Sequence, residues 1–347
     1  MRANRGRDRH PVPVTSRVSV IVPCRNERAV LPRTLAMLER QTRRPDQVVF
    51  ADGMSDDGSR EWLEEAARSR PWMTVVDNVD RIVPAALNAA FAVADGDLVA
   101  RMDTHAEYAP DYLEGVVSFL ESHPDAGGAG GAMRTEGTGP WGRAIAATLR
   151  RRIGLGGAAH RVGSELRTVQ HAFSPCYRRA AIAEIGGWDT RFLANEDFEA
   201  DVRLGRAGWR LYLLPDTGST WFVRESPSAL ARQMWRYGYY KALTLVVHPD
   251  SLNPRQLAPP LLVTLLAGAL LVRRWPLTAL AAAYAGASAV AGAAAAAADG
   301  ASPVRGAVVP AVVHLSWGAG LVAGSVAHRR GARRVATGAE GRVHTGA

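Results

Sequence analysis

The chain is poor in cysteine, with Cys24 and Cys176 the two in 347 residues. Two cysteines do not make a disulfide framework, so a reducing compartment is the expectation. No G-x-G-x-x-G follows the first apolar run and no G-x-x-x-x-G-K-[ST] occurs, which disfavours a dinucleotide dehydrogenase and a P-loop NTPase. Aromatic residues are 7% of the chain and form no platform with the basic ones, so the net charge of +9 does not point to nucleic acid. The N-terminus is polar, and Val18–Val22 is far too short for the apolar region of a signal peptide.

The positive charge is uneven. Arg2, Arg5, Arg7 and Arg9 crowd one end and Arg329, Arg330, Arg333 and Arg334 the other. Such tails are solvated and disordered, or are drawn to anionic lipid headgroups; the nearby apolar segments favour the lipid. Those segments begin after about residue 256. Leu277–Ala298 and Ala307–Ala327 reach the roughly 20 residues that cross a bilayer, whereas Leu261–Val272 falls short. Arg273 and Arg274 follow the short segment, and three full crossings would put the two arginine clusters on opposite sides. A first segment that dips or lies flat, followed by two crossings, keeps both inside. The bland alternative is an alanine-rich soluble helical appendix. The expected layout is a disordered basic tail (1–16), a globular domain (17–250), membrane-associated helices (251–328) and a basic cytosolic tail (329–347).

Within the globular part, strand and helix alternate. Val18–Val22, Gln47–Ala51, Thr74–Val76 and Leu98–Met102 have strand character. Arg28–Gln41, Ser59–Arg68 (with Ser59 as N-cap) and Ala85–Ala94 have helical spacing. This order predicts a parallel sheet with right-handed crossovers, which binds ligands beyond the carboxyl ends of its strands. Pro23, Asp52 and Asp103 each follow or close a strand, so all three are expected on one rim. The glycine-rich stretch Gly127–Gly142 reads as a loop or an edge crossing.

The chemistry-bearing residues cluster at these ends. Asp103-x-His105 closes an apolar run, and a carboxylate and an imidazole two residues apart can both reach a divalent cation or a diphosphate bound to it. Asp52, followed by glycines, suits hydrogen bonding to a nucleotide base or ribose; Asp56, Asp57 and Ser59 serve equally well as a polar turn. In Asn195-Glu-Asp-Phe-Glu-Ala-Asp201, acidic residues open a helix expected over Glu196–Ala207 and closed by Gly208. They either complement the helix dipole or supply a general base, for which Asp197 is the candidate. Arg232-Gln-Met-Trp-Arg-Tyr-Gly-Tyr-Tyr-Lys241 places Gln233, Arg236 and Tyr237 on one helix face, as an interfacial amphipathic helix or as a lid over a pyrophosphate or acceptor.

Five blocks in this order resemble the inverting family 2 glycosyltransferases of the GT-A fold, in particular the membrane-associated exopolysaccharide enzymes of the succinoglycan-biosynthesis type. They are Val18-Ser-Val-Ile-Val-Pro-Cys-Arg-Asn-Glu27, Asp52-Gly-x-Ser-x-Asp-Gly, Arg101-Met-Asp-Thr-His105, Gly186-Gly-Trp-Asp189 with Asn195-Glu-Asp197, and Arg232-Gln-x-x-Arg-Tyr-Gly238. The resemblance runs from about Val18 to His248. It implies an α/β fold with a Rossmann-like, mainly parallel sheet and C-terminal apolar membrane helices. It also implies a nucleotide-diphosphate sugar donor (a UDP-sugar), a Mg²⁺ or Mn²⁺ ion, and a hydroxyl acceptor on a lipid-linked saccharide, with the catalytic domain facing the cytosol at the cytoplasmic membrane. By analogy Pro23, Arg25, Glu27 and Asp52 line the nucleotide site with Asn88 and Arg101 nearby. Asp103 carries the metal or diphosphate role, Asp197 is the base, and Gln233 and Arg236 meet the diphosphate or acceptor. One departure stands out: the usual D-x-D has His105 at its second acidic position, a plausible ligand for Mn²⁺ and a poorer one for Mg²⁺. A processive polysaccharide synthase, a nucleotidyltransferase and a membrane-anchored nucleotide-sugar-binding protein without turnover are the competing readings.

Overall fold

A computed structural model of the chain describes residues 16–155, 165–272 and 275–336. The N-terminal arginines, Arg273 with Arg274, and residues 337–347 lie outside the described residues. Two compact units emerge, one built from residues 16–134 and 165–222, the other from residues 135–155 and 223–336.

The first unit is built on a nine-stranded sheet. Its strands are β1 (Val18–Cys24), β2 (Gln47–Asp52), β3 (Met73–Asp77), β4 (Leu98–Arg101), β5 (Ala106–Tyr108), β6 (Ala126–Glu136, its last two residues counted in the second unit), β7 (Arg167–Val169), β8 (Cys176–Arg178) and β9 (Arg210–Phe222). The order is β3-β2-β1-β4-β8-β6-β9-β5, with β7 paired to β9. β3, β2, β1 and β4 run parallel to one another, and β8, antiparallel to β4, reverses the direction.

The parallel strands are largely apolar because helices cover both faces. Alternation along β1 sends Val18, Val20 and Val22 to a core shared with Leu31, Leu35 and Leu38 of the helix Leu31–Glu39 and with Leu113 and Val116 of Tyr112–Ser122. Ile21 points the other way, to Leu87 and Ala90 of the helix Val83–Val93 and Leu204 of Glu196–Arg206. The helix Ser59–Arg68 starts where its sequence suggests, but its cap is Gly58, at φ +84°. Only a residue without Cβ enters that conformation cheaply, and this frees Ser59 for another task described below.

The glycine-rich stretch is not a loop. Residues 126–136 form β6, the centre of the antiparallel half, and the strand is followed by the helix Pro140–Leu149. A Cβ on Gly128 would stand 2.8 Å from Tyr177 and one on Gly131 2.2 Å from the Thr217 carbonyl. The glycines are there because neighbouring side chains and backbone occupy the space where theirs would be.

The second unit is helical: Pro140–Leu149, Arg152–Leu155, Pro227–Val247, Ala258–Val272, Trp275–Ala298 and Pro303–Ala336. Glu225 accepts the Thr138 and Gly139 amides at 2.8 and 2.9 Å, tethering the start of Pro140–Leu149. Arg150 and Arg151 both reach Asp299, in the turn between the last two helices. Thr278–Ala298 and Pro303–Arg329 are long and apolar enough to cross a membrane. Leu280, Val290, Val304 and Val308 stand exposed on these helices, as lipid-facing side chains do. Ala258–Val272 has 15 residues, short of a full crossing. The arginines from 329 onward continue the last helix as far as Ala336.

Candidate functional site

The rim is built by strand register. Cys24 lies opposite Asp52, Asp52 opposite Asp77, and Ile21 opposite Arg101. Pro23, Asp52 and Asp103 therefore leave the parallel sheet side by side, as their strand-end positions predict.

On one side of the rim, two loops are laced together. Asn26 adopts φ +55°, donates its amide to Ser55 Oγ (2.9 Å) and accepts from the Asp56 amide (3.0 Å). The Glu27 amide donates to Ser59 Oγ (2.8 Å), and Ser59 Oγ donates to Asp57 (2.5 Å), which also receives the Arg28 amide (3.0 Å). Asp57 and Ser59 thus hold the turn. Asp52 is buried, and its carboxylate accepts the Ser55 hydroxyl at 2.5 Å and amide at 3.1 Å. Arg25 lies over Gly53, where a Cβ would stand 2.9 Å from the arginine stem.

At the centre, Arg101 is buried and grips three carboxylate oxygens. Its Nε and Nη2 donate to Asp103 at 2.8 and 3.2 Å, and Nη1 donates to Glu196 at 3.0 Å. Burial opposes its charge, yet Asp103, Glu196 and Asp197 outweigh burial and hold the guanidinium above its ordinary range. Burial, reinforced by neighbouring Asp197, pushes the Glu196 carboxyl up, and Arg101 counters the rise. The Asp103 amide donates to the Tyr108 hydroxyl (2.9 Å), fixing the backbone at the strand end. His105 is exposed, and its Nε2 faces Glu27 Oε1 at 3.1 Å.

On the other side, the helix Glu196–Arg206 begins at Asn195 in the left-handed conformation, φ +63°. Asp197, on its first turn, is about a quarter exposed and lies 3.9 Å from His171 Nε2. His171 in turn binds Asp201, one helical turn beyond Asp197, through Nδ1 at 2.8 Å. Fully buried Asp201 also accepts the Tyr177 hydroxyl at 2.8 Å. Spacing of four residues puts Asp201 beneath Asp197, but nothing in the sequence marks His171.

The structure brings Pro23, Arg25, Glu27, Asp52, Arg101, Asp103, His105 and Asp197 into one unit around this rim. Asn88 belongs to the same unit, and both ends of its amide are engaged: Nδ2 donates to the Trp188 carbonyl (2.7 Å) and Oδ1 accepts the Trp188 amide (2.8 Å). It clamps the turn at Gly187, where φ is +78° and an added Cβ would stand 2.4 Å from Asn88 Oδ1. Gly187→Ala is therefore expected to cost about 2 kcal/mol, read as a fall of roughly 4–8 °C in thermal midpoint. Gln233 and Arg236 belong to the second unit, on the helix Pro227–Val247, where Gln233 donates to the Tyr237 hydroxyl at 3.3 Å and Arg236 is exposed.

Among the described residues, no three His, Cys, Asp or Glu side chains gather closely enough to hold a metal alone. Asp103 and His105 offer one carboxylate and one imidazole. That pair fits a divalent cation whose remaining ligands are diphosphate oxygens and water. The rim as a whole presents the buried Asp52 carboxylate, the exposed His105 imidazole and the partly exposed Asp197 carboxylate.

Known proteins carry the same frame. Residues 19–186 match the profile described as Glycosyl transferase family 2. Over 307 residues the chain is 32% identical to the succinoglycan biosynthesis protein ExoA of Rhizobium meliloti (strain 1021), covering 87% of this chain and 92% of that one. Over 116 residues it is 32% identical to the undecaprenyl-phosphate 4-deoxy-4-formamido-L-arabinose transferase of Pseudomonas fluorescens (strain Pf0-1), covering 32% and 34%. The solved structure of mannosyltransferase PcManGT from Pyrobaculum calidifontis, in complex with GDP-Man and Mn²⁺, superposes with a TM-score of 0.61 at 20% identity, over 90% of this chain and 89% of that one. At that identity the likeness carries the fold, which is GT-A. With a 32% identical relative aligned over most of both chains, and the family profile lying over the strands that form the rim, the chain belongs to glycosyl transferase family 2.

Proposed function

We propose that this glycosyltransferase moves a sugar, with inversion, from a nucleoside-diphosphate donor of the UDP-sugar type to a hydroxyl of a lipid-linked saccharide. The acceptor serves exopolysaccharide or cell-envelope glycan synthesis, and the catalytic unit faces the cytosol at the cytoplasmic membrane. The observation that carries the reading is the Asp103–Arg101–Glu196 chain, which joins the strand end to the first turn of the helix bearing Asp197. A leaving-group site and a base are thereby held by one buried cation.

The residues divide the work. Asp52, Arg25 and Pro23 suit the nucleoside, and Gln233 with Arg236 suits the diphosphate or acceptor. The Asp197 carboxylate takes the proton of the acceptor hydroxyl as its oxygen bonds to the anomeric carbon. The bond to the diphosphate breaks on the opposite face and its electron pair stays with the leaving oxygen, so a single displacement inverts the carbon. Mg²⁺ or Mn²⁺ held by Asp103 and His105 would supply positive charge to the departing diphosphate. Arg101 keeps the Asp103 carboxylate aimed, and Glu27 faces the imidazole of His105. Support for a metal and a nucleotide sugar comes from the GDP-Man and Mn²⁺ named for PcManGT, and for a lipid carrier from the undecaprenyl phosphate named for the Pseudomonas enzyme. The two long apolar helices fit such an acceptor, and the arginines beside them fit the cytosolic face.

The test presents the full chain, in membranes supplying lipid-linked acceptors, with a panel of nucleotide sugars with and without EDTA. One donor is expected to yield nucleoside diphosphate and a lipid-linked product of opposite anomeric configuration, with Mn²⁺ or Mg²⁺ restoring what EDTA removes. Absence of nucleotide release with every donor would favour a binding protein.

A further inference from the structure

The region behind Asp197 is more elaborate than a general base requires. Asp197, Glu196 and Asp201 crowd one end of a helix, with Asp103 one arginine away. Like charges so close oppose ionisation of any one carboxyl. Arg101 offsets Asp103 and Glu196. Facing both Asp197 and Asp201 is His171, whose Nδ1 lies 2.8 Å from Asp201 and whose Nε2 lies 3.9 Å from Asp197.

We propose that His171, held at one nitrogen by Asp201, is a positioning residue that keeps the Asp197 carboxylate turned toward the acceptor. The inference rests on Asp197 being the base. Asp197 and Asp201 favour the protonated form of His171, burial and the Arg101 charge oppose it, and the net direction is upward from the ordinary imidazole value. The Tyr177 hydroxyl satisfies the second oxygen of Asp201, and the Ala172 amide adds a longer contact at 3.3 Å. The edge of Phe198 closes the side of the ring, with centroids 5.8 Å apart. A histidine anchored at one nitrogen and aimed at a carboxylate with the other is held in one orientation.

Chemically the proton still moves from the acceptor hydroxyl to Asp197. His171 fixes which oxygen of Asp197 faces outward, and Asp197 in turn favours the protonated form of His171. Loss of the cation should therefore move the acid limb of activity, which a purely structural contact would leave in place.

The test uses the full chain in nanodiscs, with pH profiles of kcat and KM for wild type, His171→Gln and Asp197→Asn. His171→Gln is expected to shift the acid limb of kcat upward by about one pH unit, the scale of one neighbouring charge, so that kcat falls by up to about tenfold on that limb, with donor KM within about twofold. NMR of ¹³C-labelled histidine supplies the reciprocal measurement without perturbing His171: Asp197→Asn should lower the imidazole midpoint seen in wild type. An unmoved limb in a His171→Gln protein that still binds donor overturns the inference, as does an imidazole midpoint indifferent to Asp197→Asn. Full turnover by Asp197→Asn would instead remove Asp197 as the base, a different failure from an inactive Asp197→Asn with an unshifted His171→Gln profile.

Discussion

Asp197→Asn is expected to lower kcat by about 10²–10⁴-fold, the range a general base contributes, while nucleotide-sugar affinity stays within about twofold. The amide matches the carboxylate in size and can still accept the Phe198 amide that Asp197 Oδ1 receives at 2.7 Å, so the helix start keeps its shape. What it cannot do is take a proton from a hydroxyl. Because the loss falls on a step made only in the transition state, kcat and kcat/KM should drop together. Single-turnover transfer with saturating donor measures the drop, and calorimetric titration of the donor measures the binding. Glu196, the adjacent carboxylate, is no substitute: it is buried and turned toward Arg101. Turnover of the variant within a factor of ten of wild type would take Asp197 out of the role.

How much of this could be read from the chain depends on which signals are local. The βαβα run was legible because strands buried on both faces are continuously apolar and the helices between them repeat leucines at helical spacing. Strand-end position then placed Asp52 and Asp103 on one rim. β6 was illegible for the opposite reason. Its glycines carry no side-chain pattern, and their cause lies in residues such as Tyr177, Thr217 and Trp209 that pack against them from elsewhere in the sequence. His171 has no motif around it, and its role exists only because Asp201, 30 positions away, meets its Nδ1. Residues 135–155 group with the C-terminal helices through contacts such as Arg150 with Asp299 and the Ile153 carbonyl with His314, 161 positions apart. Asn88 and Ser59 show a subtler limit. Both sit where a ligand contact or a cap is reasonable, and both are occupied in holding a neighbouring turn.

Arg101 is the residue whose loss should be felt most widely. Arg101→Met removes the charge and keeps most of the apolar stem, so any effect beyond packing reports the charge itself. Glu196 is then left buried without its cation and Asp103 loses both of its donors. Breaking one side of a buried pair costs about 3–5 kcal/mol because the partner stays desolvated, and for a domain of this size that is a fall of about 10 °C in thermal midpoint. The pH dependence separates this from a cavity. Burial already raises the folded-state Glu196 carboxyl above its ordinary value, and Arg101 restrains that rise. Without Arg101 the folded value climbs further while the unfolded value is unchanged. A carboxyl raised on folding has its stability contribution intact at low pH and loses it as pH rises through the folded value. The gap between wild type and Arg101→Met should thus be widest near pH 8 and narrow toward pH 5, as Glu196 takes up a proton and no longer needs the guanidinium. Thermal unfolding of the two full-length proteins across that range checks the prediction. A gap that is constant with pH would assign the loss to packing, and Arg101 would then be holding volume in the rim rather than binding its two carboxylates together.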